Sequence, residues 1–192
     1  MVELRAVVDC KVDDERIKNL YEEAFPGNER IPYWIIKRRS NQGKAEMWNI
    51  FNDDTWIGLA YIMIYTNKDN KNFAYVLYFA IDSNNRNKGY GGKALKLIFE
   101  KYKDYSISLA IEDYEDEKAE NIEQRIKRHN FYKKCGMEDL SYRATSFNLT
   151  YDLMYYGKPI ERDDYKDMIA NYAGWPFQYF FRVFLSDKTA IK

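Results

Sequence analysis

Hydrophobic and polar positions change period several times along this chain, and each change predicts an element. Val2, Leu4 and Ala6 alternate with charged residues, the pattern of an opening strand. Ile17, Leu20, Tyr21, Ala24 and Phe25 then fall at the spacing of one helix face, with Asp13 or Asp14 as its cap and Pro26-Gly27 as its stop. Pro32 opens a second helix through Tyr33–Lys37, which runs into the basic, glycine-containing segment KRRSNQGK. Three strand-like runs follow: AEMWNIF, TWIGLAYIMIY and FAYVLYFAI, separated by NDD and TNKDNKN. A polar loop with Gly89, Gly91 and Gly92 leads into a helix striped by Ala94, Leu95, Ile98, Phe99 and Tyr102. YSISLAIE reads as a buried strand, and AENIEQRIKRHNFYKKC as a helix closed by Gly136 in a left-handed cap. MEDLSYRA and SFNLTYDLMYY are further strands, and Tyr165, Met168, Ile169 and Tyr172 stripe a last helix.

The order is therefore β-α-α-β-β-β-α-β-α-β-β plus a tail. Short turns between the early strands predict an antiparallel meander, while the strand–helix–strand around Gly89 requires a parallel crossover. The expected fold class is α/β (α+β): one mixed, mostly antiparallel central sheet flanked by helices. A domain over residues 1–156 and a helical, aromatic C-terminal extension over 157–192 are expected.

Charge and composition exclude more than they select. Lys+Arg and Asp+Glu are both 30, so no global field points to nucleic acid or an anionic membrane. No apolar run approaches the ~20 residues of a membrane helix. The start MVELRAVVDC carries acids and Arg5 and does not read as a signal peptide. Cys10 and Cys135 show no metal-ligand spacing, so no metal is expected and a reduced, cytoplasmic chain is the default.

The glycine loop carries the chemistry. Glycine there means that the backbone reaches φ > 0 or that something approaches it closely, and the free amides of a helix start form an anion site. A Walker loop fails, because Asn87 holds its first glycine position and Ala94 follows Lys93. A dinucleotide fingerprint is matched by Gly89-Tyr90-Gly91-Gly92-Lys93-Ala94, but the seven polar residues Asp82 to Lys88 separate it from its strand, and the alternating βαβ units of a doubly wound sheet are missing.

Arg86-Asn87-Lys88-Gly89-Tyr90-Gly91-Gly92 fits every defined position of R/Q-x-x-G-x-G-A/G. With NFYKKCGM downstream, similar to FYxxxGF with Met137 in place of the last aromatic, the chain resembles the GNAT superfamily of acyl-CoA-dependent N-acyltransferases over roughly residues 1–156. The resemblance implies that backbone amides of about Arg86–Lys93, including Tyr90 and Lys93, wrap the pyrophosphate of coenzyme A. Arg86 and Lys88 add charge. It implies further that the fourth and fifth strands splay, with main-chain groups of Phe79, Ala80 and Ile81 bonding the pantetheine arm of acetyl-CoA, the acyl donor.

By the same resemblance Tyr132 is a general acid, or a hydrogen-bond donor, to the CoA sulfur. Relatives carry a Glu base where this chain has Leu77, so Glu112 at the end of the fifth strand becomes the first candidate, ahead of Asp82 and Asp113. Glu29 and Arg30, on the connector between the first two helices, are the acceptor candidates: Glu29 for an amine, Arg30 for a carboxylate. His129 lies on a charged helix and is expected to face solvent. Trp175, Phe177, Tyr179, Phe180, Phe181 and Phe184 are too apolar to be solvated as a block.

The expected function is N-acetyl transfer from acetyl-CoA directly to a primary amine, small-molecule or peptide-borne, by a monomer or homodimer that needs neither nucleic acid nor membrane. The alternative is a CoA-binding sensor or interaction module without turnover.

Overall fold

The computed structural model describes residues 1–7, 11–146, 149–174 and 183–188. Among them run eight strands and five α-helices: β1 (Val2–Ala6), α1 (Lys11–Ala24), α2 (Tyr33–Asn41), β2 (Ala45–Asn52), β3 (Thr55–Thr66), β4 (Asn72–Ile81), α3 (Tyr90–Lys101), β5 (Ser106–Glu112), α4 (Ile122–Lys134), β6 (Glu138–Ser146), β7 (Leu149–Tyr156), α5 (Arg162–Ala173) and β8 (Phe184–Asp187). They form one mixed sheet in the order β1-β2-β3-β4-β5-β7-β6-β8. The expected element order and fold class hold, and β8 is an addition that the sequence pattern missed.

The chain divides into two compact units, residues Met1–Ile64 with Val76–Lys101, and Tyr65–Tyr75 with Tyr102–Lys192. In the first, β1, β2 and β3 make the expected meander, antiparallel throughout. Asp53 closes the β2–β3 turn at φ 53°, a conformation that aspartate tolerates better than most side chains. Its core is built from Ile17, Leu20 and Tyr21 of α1, Ile36 of α2, Ile50, Leu59 and Tyr61 of the strands, and Leu95 and Ile98 of α3, all buried. The helical stripes read in the sequence are these buried faces.

Two local features depart from the pattern. Asp13 does not cap α1 but lies inside its first turn, buried, where it takes a hydrogen bond from the Asn49 side chain (2.9 Å) and pairs with Arg16. The register of β2 against β3 passes from Ile50↔Gly58 to Phe51↔Trp56, so Ile57 bulges out of the ladder.

In the second unit β4 pairs with β5 in parallel at Phe73↔Ser106, Ala74↔Ile107 and Tyr75↔Ser108, where the ladder stops. The parallel crossover through α3 is as expected. Antiparallel β7 and β6 continue from β5, and β8 adds to β6 through Tyr142↔Asp187 to Thr145↔Phe184. Gly136 ends α4 at φ 94°, the left-handed cap that the sequence called for. Of the aromatic tail, Phe184 is 69% exposed on β8, while Trp175, Phe177, Tyr179, Phe180 and Phe181 lie outside the described residues, as does Cys10.

A buried ionic cluster ties this unit together. Asp152 of β7 is fully buried and accepts from Arg143 Nε (2.9 Å) and Lys188 Nζ (3.1 Å) on the same oxygen. Arg143 also donates to Asp113 (3.1 Å) and pairs with Glu115, clamping the β5–α4 loop to β6. Lys188 donates to the Tyr114 hydroxyl (2.7 Å). Removing one partner from a buried cluster strands the remaining charges, at about 3–5 kcal/mol. Arg143→Met is therefore expected to lower unfolding free energy by that amount in urea titrations. A loss under ~1 kcal/mol would mean that the three carboxylates do not depend on this guanidinium.

Candidate active site

The loop after β4 is shaped by hydrogen bonds that its own sequence supplies. The Asp82 N–H donates to the Ile57 carbonyl at the bulge (2.9 Å), and the Asp82 carboxylate accepts from the Asn84 N–H (3.1 Å) and the Asn85 amide (3.3 Å). These bonds fold Ser83–Asn85 into a 3-10 turn. The chain then enters the left-handed region twice, at Asn87 (φ 62°) and Gly89 (φ 76°). Asparagine is among the few side chains that accept this readily, and glycine does so without steric cost. Gly91 and Gly92 lie in the first turn of α3.

α3 closes its first hydrogen bond from the Lys93 N–H to the Gly89 carbonyl (3.3 Å). Among the described residues, the main-chain N–H groups of 87–92 donate to no protein acceptor. Successive donors turned inward by left-handed residues, at the positive end of a helix dipole, make an anion-binding concavity. A Cβ on Gly89 would meet nothing within 4 Å, so the space above the loop is open. The basic side chains stay close: Arg86 Nε donates to the Ile81 carbonyl (2.9 Å), with its guanidinium 3.7 Å from Glu23, and Lys88 Nζ donates to the Asn84 carbonyl (2.8 Å).

A second glycine shapes the strand that enters this loop. A Cβ on Gly58 would overlap the Ala80 carbonyl oxygen and lie 3.2 Å from Ile81 Cα. The end of β4 thus rests on bare β3 backbone. Strand alternation turns the main-chain groups of Phe79 and Ile81 to the opposite edge from Ala80. Of the three residues nominated for pantetheine, Phe79 and Ile81 are the ones facing away from β3.

The connector between α1 and α2 is equally fixed. Arg30 donates to the Glu22 carbonyl of α1 (3.3 Å), and the Glu29 N–H closes a turn onto the Pro26 carbonyl (3.0 Å). The Tyr78 hydroxyl donates to the Glu29 carbonyl (3.0 Å).

Glu112 and Tyr132 both belong to the second unit. Glu112 accepts from the Asn121 amide (3.0 Å) and from Arg128 (2.6 Å), with Arg125 Nε at 3.3 Å. Burial pushes the Glu112 carboxyl up, but Asn121, Arg128 and Arg125 outweigh it and hold the group below the usual carboxylate range. Tyr132 lies one turn beyond Arg128 on α4 and is buried, which pushes its phenol up to about 12 against a smaller opposing pull from Arg128. The lesser base candidates are engaged as well, Asp82 in its turn and Asp113 with Arg143 and the Glu115 N–H.

His129 does not face solvent. Its ring stacks on Tyr114 (centroids 3.8 Å apart) and its Nε2 lies 2.9 Å from Asp139. Burial opposes the Asp139 charge, but His129, Lys188 and Lys133 hold its carboxyl below the usual range. Asp139, at the start of the strand that follows the helix, and the Tyr114 ring engage the imidazole, which a helical charge count does not reveal. No cluster of His, Cys, Asp or Glu suited to a metal ion occurs among the described residues.

The acetyltransferase (GNAT) family profile matches residues 14–137, about two thirds of the chain and all of the loop just described. The chain belongs to the GNAT acetyltransferase family. Solved GNAT structures repeat its fold. A protein from Bacteroides thetaiotaomicron assigned to this family superposes with a TM-score of 0.71 at 23% identity, covering 92% of this chain and 98% of its own. Arabidopsis thaliana Naa50, solved with the bisubstrate analogue CoA-Ac-MVNAL, gives 0.61 at 17% identity over 82% and 99%. Arabidopsis thaliana NAA60, solved with acetyl-CoA, gives 0.61 at 13% over 81% and 98%. No curated relative matches the chain. The expected acyl-CoA-dependent acetyltransferase is thus the class to which this GNAT chain belongs.

A depressed carboxyl fixes the sign of a pH effect. The contribution of Glu112 is full above its unfolded pKa, about 4.3, and is lost as pH falls through the lower folded value. Glu112→Gln should be less stable than wild type at pH 7, and the two should converge towards pH ~3. Urea midpoints across that range measure this, and a gap that stays constant would rule the ion pairs out as its source.

Proposed function

We propose that this protein transfers the acetyl group of acetyl-CoA directly to a primary amine within a ternary complex. The observation that carries the reading is the run of unpartnered N–H groups at 87–92 on the start of α3, inside the family-matched segment. Those donors hold the pyrophosphate. Arg86 and Lys88, tethered at the loop, supply positive charge beside it. The main chain of Phe79 and the N–H of Ile81, on the edge of β4 turned from β3, bond the pantetheine arm, while the Ile81 carbonyl holds Arg86.

In the reaction the neutral amine attacks the thioester carbonyl carbon. A C–N bond forms, the C–S bond breaks with its electron pair going to sulfur, and the proton lost by nitrogen ends on the CoA thiol. Tyr132 donates a hydrogen bond to the departing sulfur. Glu112 remains ionised between its two donors, Asn121 and Arg128, beside the Arg125 guanidinium, and holds Arg128 and α4 in place, which makes it a positioning residue before it is a base. Glu29 and Arg30 face the acceptor from the connector.

Calorimetric titration with CoA and with NAD tests the first step: CoA binding is expected, and NAD binding without CoA binding would refute the reading. Release of CoA thiol over a panel of primary amines tests the second. Tight CoA binding with no turnover on any amine would favour a sensor.

Tyr132→Phe keeps the ring and removes the donor. Its kcat should fall roughly 10- to 100-fold while KM for acetyl-CoA changes little, because the interaction strengthens as the C–S bond breaks. Unchanged kcat would make Tyr132 a core residue only.

A further inference from the structure

One buried side chain joins the strand assigned to the acyl donor to the segment assigned to the acceptor. Tyr78 is 4% exposed in β4, directly before Phe79. Its hydroxyl accepts from the Ile31 N–H (3.0 Å) and donates to the Glu29 carbonyl (3.0 Å). Both bonds run to main chain on either side of Arg30. The connector is gripped once more at Ile31, whose carbonyl accepts from the Tyr21 hydroxyl (2.8 Å).

The Tyr78 ring is held as firmly as its hydroxyl. It meets Tyr21 and Phe25 edge-on at 4.8 Å each, with Tyr61 at 6.3 Å. Such contacts leave the phenol little rotational freedom, so its oxygen has a fixed position relative to the β4 backbone. A segment of turns with two prolines has few ladder partners of its own and takes its place from such side-chain bonds.

We infer that Tyr78 is a positioning residue that sets the connector carrying Glu29 and Arg30 against the acyl-donor strand, and so governs how the acceptor amine is presented. This rests on the proposed function above. The hydroxyl touches neither substrate: it acts through the Glu29 and Ile31 main chain. Burial pushes its proton affinity up, so it stays a phenol and serves as both donor and acceptor throughout the working pH range.

The test is Tyr78→Phe in the full chain, which keeps the aromatic cluster and removes both bonds. Hydrogen exchange followed by mass spectrometry on peptides covering 25–33 should show the Ile31 amide exchanging roughly tenfold faster, since a hydrogen bond contributes a few-fold to tenfold in local opening. CoA affinity by calorimetry should stay within about twofold. With a short peptide bearing a free α-amino group as acceptor, or the amine that the panel identifies, acceptor KM should rise about five- to tenfold while KM for acetyl-CoA is unchanged. Exchange at the wild-type rate would overturn the inference, and this readout needs no acceptor. So would parallel rises in both KM values, which mark a general loss of structure. Failure of the wild-type protein to bind CoA is a separate result, and it would strike the proposed function instead.

Discussion

The candidate site depends on one set of main-chain donors, the N–H groups of 87–92, that the described residues leave unpaired. A helix start always has free N–H groups, but here two left-handed residues, Asn87 and Gly89, extend the set back into the loop. Keeping that geometry requires support on both sides. On one side the Asp82 turn and the Ile57 bulge fix where β4 ends. On the other, α3 is locked into the first unit by the buried Leu95 and Ile98. The donors are therefore preorganised, and an anion entering the loop meets dipoles that need not reorient.

The same economy of backbone governs β4. Its end lies on Gly58 so closely that no side chain fits between them. Its Tyr78 reaches the α1–α2 connector, and its pairing with β5 stops at Tyr75↔Ser108. Within the first unit the end of this strand thus holds two neighbours by two different means, bare backbone and a phenol. The second unit is organised by charge instead, through Arg143, Lys188, Asp152 and the arginines around Glu112.

Much of this was legible in the sequence, for reasons that differ by feature. The α1 and α3 stripes, the NDD turn and the Gly136 cap follow from local periodicity and conformational preference, which tertiary context did not override. The loop could be read from its glycine motif, and Gly89 takes the positive φ expected there, whereas Gly91 and Gly92 are helical and the left-handed Asn87 carried no such reading. Gly58 left a signal that went unused: an isolated glycine in an apolar strand marks a bulge or a close approach, and both occur there. The grip on Glu112 had no local signal, because Asn121, Arg125 and Arg128 reach it from a helix whose orientation the pattern does not specify. For the same reason the inward turn of His129 and the addition of β8 could not be seen. Each depends on a partner carried by another element of the fold.

The energetics of proton transfer narrow the roles that the two catalytic candidates can take. Burial pushes the Tyr132 phenol up to about 12, above an alkyl thiol, so full transfer of its proton to the departing thiolate would be uphill. On the proposed reading Tyr132 would therefore act by hydrogen bonding to sulfur as charge builds there, with the amine's own proton completing the thiol. Glu112, held below the usual range, is a weak acceptor for an ammonium proton. Both facts shift the burden to the acceptor, which must arrive substantially neutral. An α-amino group at about 7.7–8.0 is far closer to that condition near pH 7 than a lysine at about 10.4, a difference of some 2.5 units in the fraction ready to attack. If the proposed transfer holds, its rate with an α-amine should depend only gently on pH above 8, whereas with a lysine-like amine it should gain about tenfold per unit up to pH ~10.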